Sequence, residues 1–354
     1  MFLAARKNTS YKPLEISIGQ NRIPWVYDAR GIAIMLIVYR HIVLGMKFSG
    51  VEVSPIMYNL QMLFFNFRMP AFFILSGVFI VKSLKRRSEI AVAKDKVGNL
   101  LYPYILWACI TLLLQICFKQ FSNAKRHWGD FENIILHPRA LDQLWYLFAL
   151  FNVSILFLFL NKLFAKNKWV QIGVAVALHI LSFSLTQYDF FSDFFYFYGY
   201  FITGALLSNA LTDPKRRDKI LKVSYLKWVF PLFIIGQWFW FTHQDSKGYY
   251  EFIFLVINYI GCYFLFMVAL LISKSNRNEW LTIIGRYSLY IYILHVQIAA
   301  IIRKIMRDMY PEIDPWLLLS ICFISGIVFP ILLVWGFRNY GIERLFTLKL
   351  RQSS

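Results

Sequence analysis

A hydrophobic stretch near the start of the chain, residues 25–46, contains four ionisable side chains: Asp28, Arg30, Arg40 and His41. Each such group costs about 3 kcal/mol to place in hydrocarbon, so its presence there indicates a function. In a helix, the offset of eleven residues from Arg30 to His41 brings the two side chains within about 20° of one another, about 16 Å apart along the axis. A charge near one membrane surface and an imidazole at depth suit a reaction that crosses the membrane.

These residue types favour acyl transfer. Histidine takes a proton from a hydroxyl nucleophile near neutral pH, and nearby donors stabilise an oxyanion. Later apolar stretches supply Arg68, His295 and the adjacent pair Trp145 and Tyr146. Taken singly, His41 also fits a neutral histidine hydrogen-bonded across helices, and Trp145 and Tyr146 fit interfacial belt residues. Arg68 needs a partner or a water-filled cavity at its depth.

The composition indicates a polytopic membrane protein. Of 354 residues, 58% are hydrophobic and only 16% charged, and apolar runs of roughly 20 residues recur along the chain. The net charge of +19 comes from basic residues in the short segments between these runs. Such residues are topology signals, so no nucleic-acid partner is expected. The four cysteines lie inside apolar runs without CxxC spacing, so neither a disulfide framework nor a metal site is expected.

The pattern predicts an all-α, polytopic helical bundle that forms one integral membrane domain over residues 1–354. About ten spans are predicted, near residues 29–48, 61–81, 100–118, 144–164, 169–187, 190–211, 227–243, 251–273, 281–301 and 316–337. Basic residues are concentrated on the side of the N-terminus, so the segment 1–24 and the tail 338–354 are both expected in the cytoplasm. The expected location is the bacterial cytoplasmic membrane.

With this topology, polar residues from four spans fall at one level, in the outer half of the membrane. They are His41, Arg68, His295 and the pair Trp145 and Tyr146. On the cytoplasmic side, a basic loop is well placed to bind a phosphorylated carrier, whose nucleotide cannot cross lipid. The residues expected to bind that donor are Arg86, Arg87, Lys94 and Lys96.

In order and spacing, these residues resemble the acyltransferase-3 family of membrane-bound O-acyltransferases, which modify bacterial surface carbohydrates. The family hallmark is similar to Arg30 and His41 in the first span, with Asp28 before them and Gly31 after Arg30. Weaker signatures match Phe67-Arg-Met-Pro-Ala-Phe-Phe-Ile-Leu-Ser-Gly77, Leu144-Trp-Tyr-Leu147 and Tyr292-Ile-Leu-His295. The resemblance covers nearly the whole chain. It implies an acyl-CoA donor, usually acetyl-CoA, bound from the cytoplasm, no permanently bound cofactor, and a central role for His41.

Two positions depart from the family pattern. The residue before the histidine is commonly glycine but here is Arg40, which puts a second cation beside the site and favours testing a carboxylate-bearing acyl group such as succinyl. The basic pair that usually precedes the third span is reduced to Lys96-Val-Gly-Asn99, for which Lys94, Arg86 and Arg87 can compensate. The hydrolase-like C-terminal domain of some members is not expected, so the chain resembles the stand-alone form.

The sequence therefore predicts an O-acyltransferase that moves an acyl group, usually acetyl, from cytoplasmic acyl-CoA to a hydroxyl of a cell-surface carbohydrate or its lipid-linked precursor. His41 is the expected general base, with Asp28 and Arg30 positioning the donor. The residues expected to line the acceptor side are Arg40, Arg68, Trp145, Tyr146 and His295. The expected partners are membrane lipids and a carbohydrate or lipid-linked glycan.

Two alternatives stay open at this point: a transporter or flippase for a lipid-linked glycan, and a non-catalytic assembly or sensor protein. The absence of paired halves or an inverted repeat in the sequence counts against the transporter. The sequence indicates neither the acceptor nor the oligomeric state.

Overall fold

A computed structural model describes residues 23–118, 126–164, 167–185, 189–246, 248–275 and 278–348, and every regular element in these ranges is helical. The first seven α-helices are α1 (Pro24–Phe48), α2 (Pro55–Leu63), α3 (Phe65–Leu84), α4 (Glu89–Lys96), α5 (Tyr102–Cys117), α6 (Trp145–Leu163) and α7 (Lys168–Ser184). The next seven are α8 (Asp189–Thr212), α9 (Pro214–Ile220), α10 (Leu226–His243), α11 (Glu251–Ser273), α12 (Glu279–Arg286), α13 (Ser288–Met309) and α14 (Pro315–Gly336). Most of the predicted N-terminal segment and the last residues of the tail lie outside the described residues.

Eight helical segments in the described part of the chain are long and apolar enough to cross a membrane, by length and composition. They are Pro24–Phe48, Pro55–Leu84, Glu89–Cys117, Pro138–Leu163, Pro214–His243, Glu251–Ser273, Ser288–Met309 and Pro315–Gly336. The other two predicted spans correspond to α7, a shorter apolar helix, and to the 24-residue α8. The prediction of a polytopic helical bundle is confirmed.

The ninth predicted span, 281–301, has the wrong boundaries. The chain forms two helices there, because α12 ends before Tyr287 and α13 begins at Ser288. The apolar helix long enough to span is α13 alone. Helix α12 has only eight residues, with Glu279 in its first turn and Arg286 in its last, and its apolar side packs on α1. A hydropathy window merges the apolar side of α12 with the span that follows it.

Helix α1 lies at the centre of the bundle, in contact with α2, α3, α11, α12, α13 and α14. Pro24 occupies its first turn, where the missing N–H breaks no helical hydrogen bond. No further proline follows before the helix ends at Phe48. The helix is therefore continuous between Arg30 and His41, and the predicted axial separation of about 16 Å holds.

The contact between α1 and α12 depends on two glycines. A Cβ atom at Gly31 would lie 2.6 Å from the Leu281 carbonyl oxygen, and one at Gly285 would lie 1.8 Å from the Tyr27 carbonyl oxygen. Both distances are too short for any side chain, so the two backbones can approach this closely only because both residues lack one.

Asp28 completes this contact. Its carboxylate is fully buried and accepts hydrogen bonds from Asn278 Nδ2 at 2.5 Å and from Thr282 Oγ1 at 2.6 Å. Asn278 directly precedes α12, and Thr282 lies in its first turns. The carboxylate of α1 therefore fixes where α12 begins.

Helices α3 and α8 pack together in the same way. A Cβ atom at Gly77 would lie 2.0 Å from the Phe201 carbonyl oxygen, and one at Gly204 would lie 1.9 Å from the Ile74 carbonyl oxygen. This contact holds α3, which carries Arg68, against the helix that faces the aromatic side chains at the start of α6.

After α14 the chain returns to the bundle and packs on α5. Phe346 is 1% exposed and stacks on Trp107, with ring centroids 5.2 Å apart. The Trp107 indole donates to the Leu345 carbonyl oxygen at 2.8 Å, and the Leu348 amide donates to the Gly98 carbonyl oxygen at 2.9 Å. Gly98 belongs to a π-helical turn between α4 and α5, so the tail holds that turn in place.

Candidate active site

Two histidines from different helices lie side by side in the bundle. The ring centroids of His41 on α1 and His295 on α13 are 5.2 Å apart. His295 has no exposed surface, and its Nδ1 lies 2.8 Å from the Ile291 carbonyl oxygen. Because a carbonyl oxygen only accepts, Nδ1 carries the proton and Nε2 of the neutral ring keeps a lone pair. That Nε2 has no hydrogen-bond partner among the described residues.

His41 itself is only partly buried. One imidazole of the pair therefore keeps some exposed surface, while a hydrogen bond to the α13 backbone orients the other. An imidazole with exposed surface beside an oriented one is an arrangement that suits proton transfer.

Two arginines share one aromatic ring beside the histidines. The guanidinium carbon of Arg40 lies 4.3 Å from the centroid of the Phe65 ring, and that of Arg68 lies 5.0 Å from it. Arg40 also donates to the Gln61 amide oxygen, and Arg68 donates to the Leu36 carbonyl oxygen at 3.2 Å. Both positive charges act on His41. They are placed to attract a negative group beside the reactive imidazole.

Two tyrosines connect the histidine pair to Arg30. The Tyr292 ring lies 6.3 Å from the His295 ring and 5.4 Å from the Tyr146 ring, between centroids. Tyr146 in turn interacts electrostatically with Arg30. The Tyr292 hydroxyl donates to the Gln143 carbonyl oxygen, which fixes the ring against the segment that precedes α6. Hydroxyl-bearing rings thus line the interval between Arg30 and His41.

At the N-terminal end of α1, Arg30 belongs to a basic cluster with Lys96 and Arg87. The Arg30 guanidinium carbon lies 5.3 Å from the Phe79 ring centroid, and Lys96 interacts electrostatically with both Arg30 and Arg87. The one carboxylate in this set is Asp95, which forms an ion pair with Arg87. Three cations against one carboxylate leave a net positive charge, which suits phosphate groups.

The comparison with known proteins decides between the classes that this geometry permits. The family described as an acyltransferase domain, acyltransferase-3, matches residues 25–335, which include every candidate site residue. The chain belongs to this family. The matched range includes the helices that are long and apolar enough to cross a membrane.

A nodulation protein, NolL of Sinorhizobium fredii (strain NBRC 101917 / NGR234), is 24% identical to this chain over 202 residues. The match covers 56% of this chain and 52% of NolL, so the chain aligns with about half the length of that relative. No solved structure matches the chain.

The structure brings most of the predicted site residues together, in two groups. At the histidine pair lie Arg40, Arg68, His41 and His295, with Tyr146 one ring away. At the other end of α1, Arg30 meets Lys96 and Arg87 from the predicted donor loop.

Four predicted residues lie apart from these groups. Asp28 binds the start of α12, on a different side of α1 from Arg30. Trp145 touches Tyr146 but lies under the Arg139 guanidinium, 4.6 Å from it. The side chains of Arg86 and Lys94 are exposed at the surface.

Sequence reasoning missed several residues that hold the site. Phe65 and Tyr292 each lie three residues before a predicted site residue, Arg68 and His295, and that spacing puts them on the same helix face. This signal was available in the sequence. Gln143 has no such signal in the sequence, because its role depends on a contact with α13, which is distant along the chain.

Proposed function

We propose that this acyltransferase moves a short acyl group, acetyl in the first instance, from cytoplasmic acyl-CoA to a hydroxyl of a carbohydrate or its lipid-linked precursor beyond the membrane. In this proposal the protein resides in the bacterial cytoplasmic membrane with both termini in the cytoplasm. Family membership supports acyl transfer over the transporter. The basic residues on the N-terminal side support the orientation.

The observation that carries the proposal is the position of the accessible imidazole of His41 relative to the basic cluster. His41 and Arg30 lie on one face of one continuous helix, about 16 Å apart. A donor whose phosphates bind Arg30, Lys96 and Arg87 would extend its thioester along the tyrosine-lined interval towards His41. An acceptor hydroxyl would come to the same imidazole from the C-terminal end of α1.

The proposed step is a nucleophilic acyl transfer. His41 accepts the hydroxyl proton as the acceptor oxygen forms a bond to the thioester carbonyl carbon. The carbon–sulfur bond then breaks, and the CoA sulfur leaves and takes up a proton. Arg68 is the nearby cation that would stabilise the negative oxygen of the tetrahedral intermediate. His295 would position His41 and share the proton.

The test uses purified protein in liposomes, with radiolabelled acetyl-CoA supplied at the face that carries the N-terminus, and measures release of free CoA. We expect release by the wild type and its loss, by at least a hundred-fold, in His41→Ala. The control is His179→Gln on α7, a histidine that is buried away from the site and packs on Phe183 and Tyr196.

Wild-type release in His41→Ala would exclude the imidazole as the base. Equal losses in His41→Ala and His179→Gln would show that folding, not chemistry, was affected. If the wild type released no CoA and bound no acyl-CoA in the same liposomes, the proposed donor would be wrong and a transporter would become the better explanation.

A further inference from the structure

No carboxylate of the described residues forms an ion pair with the two arginines beside His41. The guanidinium carbons of Arg40 and Arg68 lie 4.3 Å and 5.0 Å from the centroid of the same Phe65 ring. The two cations are therefore close neighbours. Arg40 acts electrostatically on Arg68. Within the described ranges, neither forms an ion pair, and the groups that accept their hydrogen bonds are neutral.

Several other cations in the described chain form ion pairs with acids. Such ion pairs join Arg87 to Asp95, Arg139 to Asp193, Arg217 and Lys274 to Asp218, and Lys304 to Asp308. All of them except that of Arg139, whose partner Asp193 is buried, are partly exposed to solvent. Arg68 is buried, and compensation matters more for a buried charge, yet neither arginine at His41 has an acid partner among the described residues.

Arg68 also has unused hydrogen-bonding capacity. It is 4% exposed, and its Nε has no hydrogen-bond partner among the described residues. A buried, unpartnered N–H on a cation is costly unless a ligand satisfies it. Guanidinium groups match carboxylate and phosphate groups in geometry.

We propose that Arg40 and Arg68 form a binding site for an anionic group, a carboxylate or a phosphate, that one of the two substrates carries next to its reacting atom. This inference rests on the proposed function, because it identifies the substrate at the same site. The anion comes either from the acceptor, as an acidic sugar or a sugar phosphate, or from the donor, as the free carboxylate of a dicarboxylic acyl group.

The position of the pair favours the acceptor as the source. Arg40 contacts Gln61 and Met62, which belong to α2 at the C-terminal end of α1. The basic cluster that suits the donor phosphates lies at the opposite end of α1. A group that arrives from the α2 side would meet the arginines before it meets His41.

The experiment compares matched anionic and neutral compounds on the purified full-length protein. Methyl glucuronide against methyl glucoside, and glucose 1-phosphate against glucose, probe the acceptor side by equilibrium binding. Succinyl-CoA against acetyl-CoA probes the donor side by CoA release. The variants are Arg40→Gln, Arg68→Gln and the charge-retaining Arg40→Lys. Lys304→Gln is the control, since it removes a cation paired at the surface with Asp308.

We expect the wild type to prefer the anionic member of a pair and the preference to fall about ten- to hundred-fold in Arg40→Gln and Arg68→Gln. Arg40→Lys should keep most of the preference for the anionic compound, and Lys304→Gln should keep all of this preference. A preference confined to the sugars assigns the anion to the acceptor, and one confined to succinyl-CoA assigns it to the donor.

Equal handling of anionic and neutral compounds by the wild type would overturn the inference, as would a preference that survives both glutamine variants. His41-dependent CoA release without any anion preference would overturn the anion site alone. Anion binding without CoA release under any condition would overturn the proposed function alone.

Discussion

Replacing Asp28 by alanine removes the acceptor of two hydrogen bonds, from Asn278 at 2.5 Å and from Thr282 at 2.6 Å. Each bond to a buried charged acceptor contributes about 1.5–3 kcal/mol, and the donors left behind lose their partner. We therefore expect the free energy of unfolding to fall by about 3–5 kcal/mol, through a weaker contact between α12 and α1. At about 2 °C per kcal/mol for a long chain, the Tm should fall by about 6–10 °C.

The assay is thermal unfolding in detergent, followed by CoA release per folded molecule at a temperature below both transitions. If Asp28 acts by holding α12, Asp28→Ala lowers the Tm, and Asp28→Asn, which keeps one acceptor oxygen, lowers it less. The control is Asp308→Ala, which removes an exposed carboxylate paired with Lys304 and should shift the Tm by less than about 2 °C.

One result would refute this reasoning. If Asp28→Ala unfolds at the wild-type temperature and yet releases no CoA, the carboxylate takes part in the chemistry. The sequence-based hypothesis that Asp28 helps to position the donor would then be preferred over a purely structural role for this carboxylate.

Two further predictions concern packing and the donor. The Cβ atom of Gly285→Ala would overlap the Tyr27 carbonyl oxygen, so this variant should reduce the yield of folded protein severalfold in size-exclusion chromatography. The control Gly173→Ala, whose Cβ atom meets open space, should leave the yield unchanged. Equal yields of the two variants would show that α12 moves aside freely. Lys96→Gln should raise the KM for acyl-CoA about ten-fold with little change in kcat, because it removes a cation beside Arg30. The control Lys94→Gln, at the exposed surface, should leave the KM unchanged. An equal rise of the KM in both variants would show that the overall positive charge of the surface, rather than a specific site, attracts the donor.

The convergence of His41, Arg68 and His295 could be predicted from the sequence because depth in a membrane is counted in residues. The rise per residue of a helix is constant, so residues at similar distances from a membrane surface reach one level. Counting residues gives the depth of a side chain in the membrane but not the direction in which it points around its helix. Only contacts between helices show that Arg40 and Arg68 meet on the Phe65 ring.

Direction explains why Asp28 and Arg30 have different surroundings although only one residue separates them. At about 100° per residue, they point about 200° apart, so one faces α12 while the other faces Phe79 and the basic cluster. The helical period shows that they diverge. The partner of each depends on where α12 and α4 pack, which no local pattern in the sequence encodes.

The cost of the charges in α1 and α3 shows why their neighbours matter. Arg30, Arg40 and Arg68 together would cost about 9 kcal/mol to insert on translocon scales, which is comparable to the whole stability of a typical domain. Contacts with the Phe65 and Phe79 rings offset part of this, at about 1–2 kcal/mol each where water is excluded. Acids that offset the rest would also cancel the positive potential at His41. The proposed anion site gives a reason for leaving cations uncompensated, and the described fold does so at Arg40 and Arg68 beside the imidazole.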